Sequence, residues 1–200
     1  MVALTLVAST RAQSQSHVLA IDIAGGPHVP VGNAALASNT GAAFSIGLVH
    51  RVNQRVALTT EFLVGSFAAG RPPSERVGTT DIGALSWAVG LEVLLTSRRS
   101  PWVLSARAEG GISAVGSDPV IDPDRPPFFI AKINDDVFSL SLGLQVGRSM
   151  GAVMPFFRIQ PDVYFVGSNL RELQALDDDI GGSGTLIGIP LQLGLRIRFR

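Results

Sequence analysis

The sequence predicts an all-β fold, an eight-stranded antiparallel up-and-down transmembrane β-barrel. Three observations indicate it: a hydrophobic period of two, a low charge content, and connections that alternate between short and long. The period is clearest in 185–200, TLIGIPLQLGLRIRFR, where large apolar residues take one parity and mainly Gly, Pro, Gln and Arg take the other. This is the pattern of a strand with one apolar face. Its length is unusual for a soluble domain and suits a tilted bilayer crossing.

The composition is apolar without offering a membrane helix. Of 200 residues, 46% are hydrophobic and 16% are charged. No uninterrupted apolar run reaches the roughly 18 residues that a spanning helix needs. Lys132 is the only lysine, whereas a soluble protein of this size normally carries many more charges. A formal net charge of zero argues against a nucleic-acid partner, and the absence of cysteine excludes disulfides and thiolate metal sites.

Two regions are predicted along the chain. Residues 1–16 are interpreted as a truncated export signal or a disordered tail, and residues 17–200 as the barrel domain. Segment 2–8 is apolar but short, and Thr10 and Ala12 are small residues at the two positions that a signal peptidase reads. Because no charged region precedes the apolar segment, both interpretations stay open.

The alternation predicts the eight strands in order. They lie at about 17–28, 42–52, 55–67, 84–96, 102–115, 136–148, 153–166 and 185–200. The connections 53–54, 97–101 and 149–152 are short, and the other four are long and rich in Gly, Pro, Ser and Asp. Short turns at one rim and long loops at the other are typical of a transmembrane barrel, with the turns periplasmic and the loops extracellular.

Each strand has two different faces. In 42–52, for example, Phe44, Ile46 and Leu48 alternate with Ser45 and Gly47. We expect the bulky face to contact lipid and the small face to line a narrow interior. A soluble lipocalin-like barrel is the alternative, but it would turn Gly, Ala and Ser towards water with scarcely one charge per strand.

Prolines and aromatic residues mark special positions in these strands. Pro155, Pro161 and Pro190 each remove a donor from the ladder, so we expect bulges or rim positions there. Aromatic side chains near both rims are predicted to anchor the barrel at the membrane interfaces. The predicted interface aromatics are Phe67, Trp102, Phe156, Phe157, Tyr164, Phe165 and Phe199.

On these strand patterns the chain resembles the eight-stranded outer-membrane barrels of the OmpA and OmpX type, over nearly all of its length after residue 16. The resemblance implies a bacterial outer-membrane location, contact with outer-membrane lipids and lipopolysaccharide, and insertion by the barrel assembly machinery. Such proteins usually end on an aromatic residue that this machinery recognises; here Phe199 is penultimate and Arg200 follows.

Charged residues on the inward parity form the candidate site. They are predicted to pair in the interior, because buried charges must pair or neutralise. The members of this predicted network are Asp22, Glu61, Glu92, Arg107, Glu109, Arg158, Asp162 and Arg196. One interpretation is a salt-bridged plug and the other is a narrow small-solute pathway. We favour the plug, and with it a structural or surface-interaction role, because eight strands leave no open bore.

Enzymatic chemistry is not predicted. A serine needs an adjacent base to act as a nucleophile, and His17, His28 and His50 are not spaced from any serine as in the barrel lipid A deacylases. We therefore expect no catalytic residues, cofactor or metal site. Aspartates predicted on the outer side are expected to be solvated rather than to bind a cation. They are Asp118, Asp122, Asp124, Asp135, Asp136, Asp177, Asp178 and Asp179.

Overall fold

The structure is a computed structural model, which describes eight stretches of the chain. These are residues 19–31, 38–69, 82–96, 100–117, 120–122, 129–131, 134–165 and 185–199. The predicted export signal or tail and His17 lie outside the described residues, as do Asp118, Asp124, Asp177, Asp178, Asp179 and most of the predicted long loops.

Eight long strands within the described residues close into a barrel. They are β1 (Leu19–Val31), β2 (Gly41–Arg51), β3 (Val56–Ala69), β4 (Ile82–Leu94), β5 (Trp102–Ser117), β6 (Asn134–Arg148), β7 (Val153–Ile159 and Asp162–Phe165) and β8 (Thr185–Phe199). Each pairs antiparallel with the next, and β1 pairs with β8 from Leu19 opposite Phe199 to Val31 opposite Ile187. Closure leaves no sheet edge, and it confirms the predicted fold class.

The described residues also form three shorter strands. Ser38–Asn39 pairs with the end of β3, and Val120–Asp122 pairs with Phe129–Ala131 in a separate two-stranded sheet. None of the described residues forms a helix with the length and hydropathy to cross a membrane.

Two tight connections lie at one end of the barrel, which we call the short-turn rim. Between β2 and β3, Oδ1 of Asn53 accepts hydrogen bonds from the amides of Arg55 and Val56, at 2.8 and 2.9 Å. Between β6 and β7, Gly151 has a φ of 68°, which glycine adopts readily. These residues reverse the chain as the sequence predicts. The opposite end is called the far rim below.

The expected bulges at the prolines are not present. The strand register is the same before and after Pro161 and Pro190. Each proline lacks an amide donor, but its carbonyl oxygen still accepts a hydrogen bond from the neighbouring strand. Pro161 accepts from the amide of Leu142, and Pro190 accepts from the amide of Gln160. Pro155, near the short-turn rim, pairs with Leu195 in the same register. Each proline therefore removes a donor without shifting its strand.

The two faces of the strands are divided as predicted. Leu142 is 67% exposed and Leu193 is 71% exposed on the outside, and they belong to a belt of outward Leu, Ile, Val, Phe and Trp side chains. Polar groups, by contrast, fill the inside, where Arg158 and Gln192 are fully buried. A soluble barrel requires the reverse arrangement, because its exterior contacts water.

Apolar groups close both ends of the interior. Ala20, Val49 and Ala57 pack together at the short-turn rim, with Met154 and Phe156 close by. At the opposite end a larger group, which we call the far-rim cluster, consists of Phe67, Ile82, Ala84, Val115, Val137, Tyr164 and Leu186. The charged side chains lie between these two apolar layers.

Three of the predicted interface aromatics point into the barrel instead. Phe67, Phe156 and Tyr164 are at most 4% exposed, because their parity in the strand directs them inward even though they lie near a rim. Trp102, Phe157, Phe165 and Phe199 do point outward. A position near a rim is therefore not enough to predict an interface aromatic residue. The residue must also have the parity that points its side chain outward.

We predict that Leu142 and Leu191 contact lipid near the middle of the bilayer. Arginine at either position should lower the free energy of unfolding by about 2 to 4 kcal/mol, because the charge enters hydrocarbon. Urea titration of the refolded barrel in lipid vesicles measures this loss. Val52→Arg is the matched control, since Val52 is exposed beside a short turn and a charge near the interface should cost only about 0 to 1 kcal/mol. A neutral effect at both leucines would mean that the faces are reversed.

Candidate functional site

The candidate site is the charged layer inside the barrel. Six of the eight barrel strands contribute predicted charged residues at inward parity, and β2 and β6 contribute none. The structure buries all eight predicted residues inside the barrel: Asp22, Glu61, Glu92, Arg107, Glu109, Arg158, Asp162 and Arg196. Seven of these, without Asp162, contact one another directly, and we call them the arginine network.

Arg196 joins two carboxylates at the lower part of this network, nearest the short-turn rim. Its Nε and Nη2 donate to Asp22 at 2.7 and 2.8 Å. Its Nη1 and Nη2 donate to Glu92 at 2.7 and 2.6 Å. This double fork uses the planar geometry of guanidinium, which a lysine cannot reproduce. Strands β1, β4 and β8 are linked by this one side chain.

Arg107 occupies the centre of the network. Its Nη1 contacts Glu61 at 2.9 Å and its Nη2 contacts Asp22 at 3.2 Å. Glu92 and Glu109 are each 3.6 Å from the same guanidinium. Four carboxylates thus surround one arginine in a space that water scarcely reaches, where unpaired charge is costly.

Arg158 extends the network across the barrel. Its Nη2 lies 2.6 Å from Glu61 and also donates to the Ser45 hydroxyl at 2.8 Å. Its Nε and Nη2 donate to Oε1 of Gln192 at 2.9 and 2.6 Å. The guanidinium carbon lies 5.7 Å from the centre of the Phe156 ring, within reach of a cation–π contact. The inward ring of Phe156 therefore packs beside a buried guanidinium group rather than at the membrane interface.

Neutral side chains that were not predicted from the sequence complete the network. Gln160 donates through Nε2 to Glu61 at 3.1 Å and to Glu109 at 3.3 Å. The Thr59 hydroxyl donates to Glu109 at 2.6 Å. Their only signal in the sequence is inward parity, which Gln160 shares with Arg158 on β7.

Asp162 lies apart from the arginine network. It is 3% exposed, and none of the described arginines comes within ion-pair distance of it. Among the buried side chains that the structure describes there are five carboxyl groups and three guanidinium groups, and Asp162 is the carboxyl group left outside the ion pairs.

The histidines of the described residues do not form a catalytic pair. His28 is fully buried against Phe67, with 4.1 Å between ring centres, and neither of its nitrogens has a hydrogen-bond partner among the described residues. His50 is exposed on the outer face of β2. The buried hydroxyls of Ser86, Ser113 and Ser139 contact one another rather than a base.

Comparison with known proteins gives no sequence match, since no family model and no curated protein matches the chain. Solved structures do match. Neisserial surface protein A is 14% identical, with a TM-score of 0.55 over 91% of this chain and 96% of that one. The major outer membrane protein of Thermus thermophilus is 12% identical, with a TM-score of 0.55 over 90% and 99%.

A third match is Ail, the attachment invasion locus protein of Yersinia pestis, which is 11% identical with a TM-score of 0.52 over 92% and 99% of the two chains. The chain has the fold of the eight-stranded outer-membrane β-barrels. This confirms the structural part of the resemblance. Together with the apolar outer belt, the shared fold supports a bacterial outer-membrane location.

We predict that Arg158 and Glu61 are energetically coupled. Arg158→Met should lower the free energy of unfolding by about 3 to 5 kcal/mol, because it removes one of the two arginines that contact the buried carboxylate of Glu61. Adding Glu61→Gln should recover much of that loss, since Arg107 retains three other carboxylates. Urea unfolding of the four proteins of the cycle measures the coupling. Arg148→Met, at an exposed rim arginine, is the control, and strictly additive losses would contradict the pairing.

Proposed function

We propose that this protein is an outer-membrane β-barrel with a structural or surface-interaction role and no open pore. The observation that carries the proposal is the arginine network, in which three buried guanidinium groups connect opposite walls of the barrel. A solute would have to separate these pairs in order to pass. Breaking a buried pair costs several kcal/mol, so the closed state is strongly favoured.

The far-rim cluster supports the same proposal independently. It places Phe67, Tyr164 and other apolar side chains across the interior above the charged layer. An ion that entered from that side would first lose its hydration among these groups. Two barriers of different chemistry therefore stand in series along the barrel axis.

Lipids are the proposed partners of the outer face. The apolar belt fits hydrocarbon, while outward Trp102, Phe157 and Phe199 suit the interface near the short-turn rim and Phe165 suits the far rim. In this orientation the short turns are periplasmic. The aspartate-rich segments then lie on the outer side, where lipopolysaccharide is the proposed lipid partner. The outward aromatic Phe199 at the end of β8 is the proposed contact for the barrel assembly machinery.

A surface-interaction role depends on the outer segments. The Yersinia barrel was solved with sucrose octasulfate, a heparin analogue. In this chain acidic residues predominate in the segments predicted to be extracellular. Like charges repel, so we propose that an external ligand here is neutral or cationic rather than a sulfated polymer.

The small-solute pathway is the competing function. It shares the fold and the location, but it requires hydrated space alongside the charged side chains. If that space existed, Arg158→Ala would leave stability nearly unchanged and would alter conductance or selectivity. The two functions therefore differ in what one substitution does to two measurable properties.

We predict that the purified protein produces no steady ion conductance in planar lipid bilayers, because paired charges and apolar groups fill its interior. Heat-modifiable gel mobility of the same preparation verifies that the inserted barrel is folded. Arg158→Ala should destabilise this barrel in urea. Trp102→Ala, which changes only the outer face, is the control and should leave the bilayer just as impermeable. Reproducible open-channel steps in the unsubstituted protein would contradict the proposed function.

A further inference from the structure

A small polar cavity lies between the arginine network and the far-rim cluster. Its volume of about 10 Å³ gives room for roughly one water-sized particle. Glu61, Gln160, Asp162 and Tyr164 line one part of it, and Ser86, Ser139 and Ser141 line another. Leu63 and Ala88 complete the wall, so the cavity brings oxygen-bearing side chains together beside apolar ones.

Several of these oxygens have no hydrogen-bond partner within the described part of the chain. They are both carboxylate oxygens of Asp162, Oε1 of Gln160 and the hydroxyl of Tyr164. All three side chains are at most 3% exposed. Gln160 already uses its amide nitrogen on Glu61 and Glu109, which leaves Oε1 as an acceptor facing no donor. Buried polar atoms in this state need a hydrogen-bond or ionic partner, which a bound group in the cavity would supply.

The wall of the cavity is held in a fixed arrangement. The Ser113 hydroxyl lies 2.8 Å from that of Ser86 and 2.9 Å from that of Ser139. Between β6 and β7, Ser139 is opposite Tyr164 and Ser141 is opposite Asp162. Ladder pairing thus sets the spacing of the oxygens, so the cavity is a preformed site.

Charge defines the class of ligand. Asp162 is the buried carboxyl group that no described arginine reaches, so its negative charge, when it is ionised, is not balanced by an ion pair. Hard cations prefer oxygen ligands of the kind that surround this cavity. A particle that is positive and the size of one water meets both requirements.

We propose that this cavity binds a single dehydrated alkali-metal cation, with Asp162 as its charged ligand and Gln160, Tyr164 and the serine hydroxyls as neutral ligands. One carboxylate free of arginine favours a singly charged ion. The described residues contain no group of three or more His, Cys, Asp or Glu side chains suited to a metal, so the proposed ligands other than Asp162 are neutral oxygens. Mg²⁺ in particular keeps several waters, for which the cavity has no room.

The test compares thermal unfolding of the detergent-solubilised barrel in sodium chloride and in choline chloride, at equal concentration and pH. The two salts screen charge equally, but choline is too large for the cavity. Because a ligand that binds only the folded state stabilises it, we expect the melting temperature to be higher in sodium by about 2 to 4 °C. Equal melting temperatures would overturn the proposal and would indicate that a proton or a water molecule satisfies Asp162.

Substitutions test whether the sodium-dependent rise in melting temperature originates in this cavity. Asp162→Asn should remove the difference between the two salts, whereas Asp136→Asn, at an exposed acid on the outer face, should keep it. Tyr164→Phe removes one neutral ligand and should reduce the difference, which provides a second variant if Asp162→Asn does not fold. A sodium effect that persists in both cavity variants would place the cation elsewhere and contradict the site.

Discussion

The pairing of arginine with carboxylate inside a narrow barrel is the interaction on which the rest of this structure depends. Burial of Arg107, Arg158 and Arg196 removes three charges from water, and that loss is offset only if carboxylates lie at hydrogen-bonding distance. The distances are met because six different strands bring their inward charged residues to neighbouring heights. Pairing of β1 with β8 closes the barrel and also places Asp22 opposite Arg196, so the arginine network depends on this closure.

The packing of aromatic side chains at the far rim depends on two glycines. A side chain at Gly65 would place its Cβ 2.8 Å from Nδ1 of His28, and one at Gly188 would place it 2.7 Å from Cζ of Phe67. Both contacts are too close to be accommodated without displacing the aromatic rings. The absence of a side chain at these two positions lets His28 and Phe67 lie across the interior. Inward-facing positions therefore hold charged side chains in the middle of the barrel and apolar side chains at its far rim.

Parity explains which parts of this account the sequence could predict. Alternation of large and small residues located eight strands and their two faces, because side-chain direction in a strand repeats every two residues. Ion pairs could not be predicted, since parity gives the face of a residue but not its height, which depends on register and strand tilt. Adjacent Phe156 and Phe157 show the same limit, because rim position alone assigned both to the membrane whereas parity admits only Phe157.

Register also explains why the expected proline bulges are absent. A proline removes a donor, but the opposite half of the pair can remain, as it does at Pro161 and Pro190. Barrel closure on both sides of these residues holds the strands in register despite the missing bonds. The preference of proline for bulges is therefore outweighed by the hydrogen bonding of the closed sheet.

The central claim, that paired charges seal the interior, is tested most directly by the solvent exchange of guanidinium protons. Nuclear magnetic resonance of the folded barrel in micelles can follow the Nε–H groups of Arg158 and Arg196, each of which donates to a buried oxygen. The account predicts that both exchange far more slowly than the Nε–H of exposed Arg148. Exchange of all three at a similar rate would show that water reaches the network freely, and it would contradict the sealed barrel.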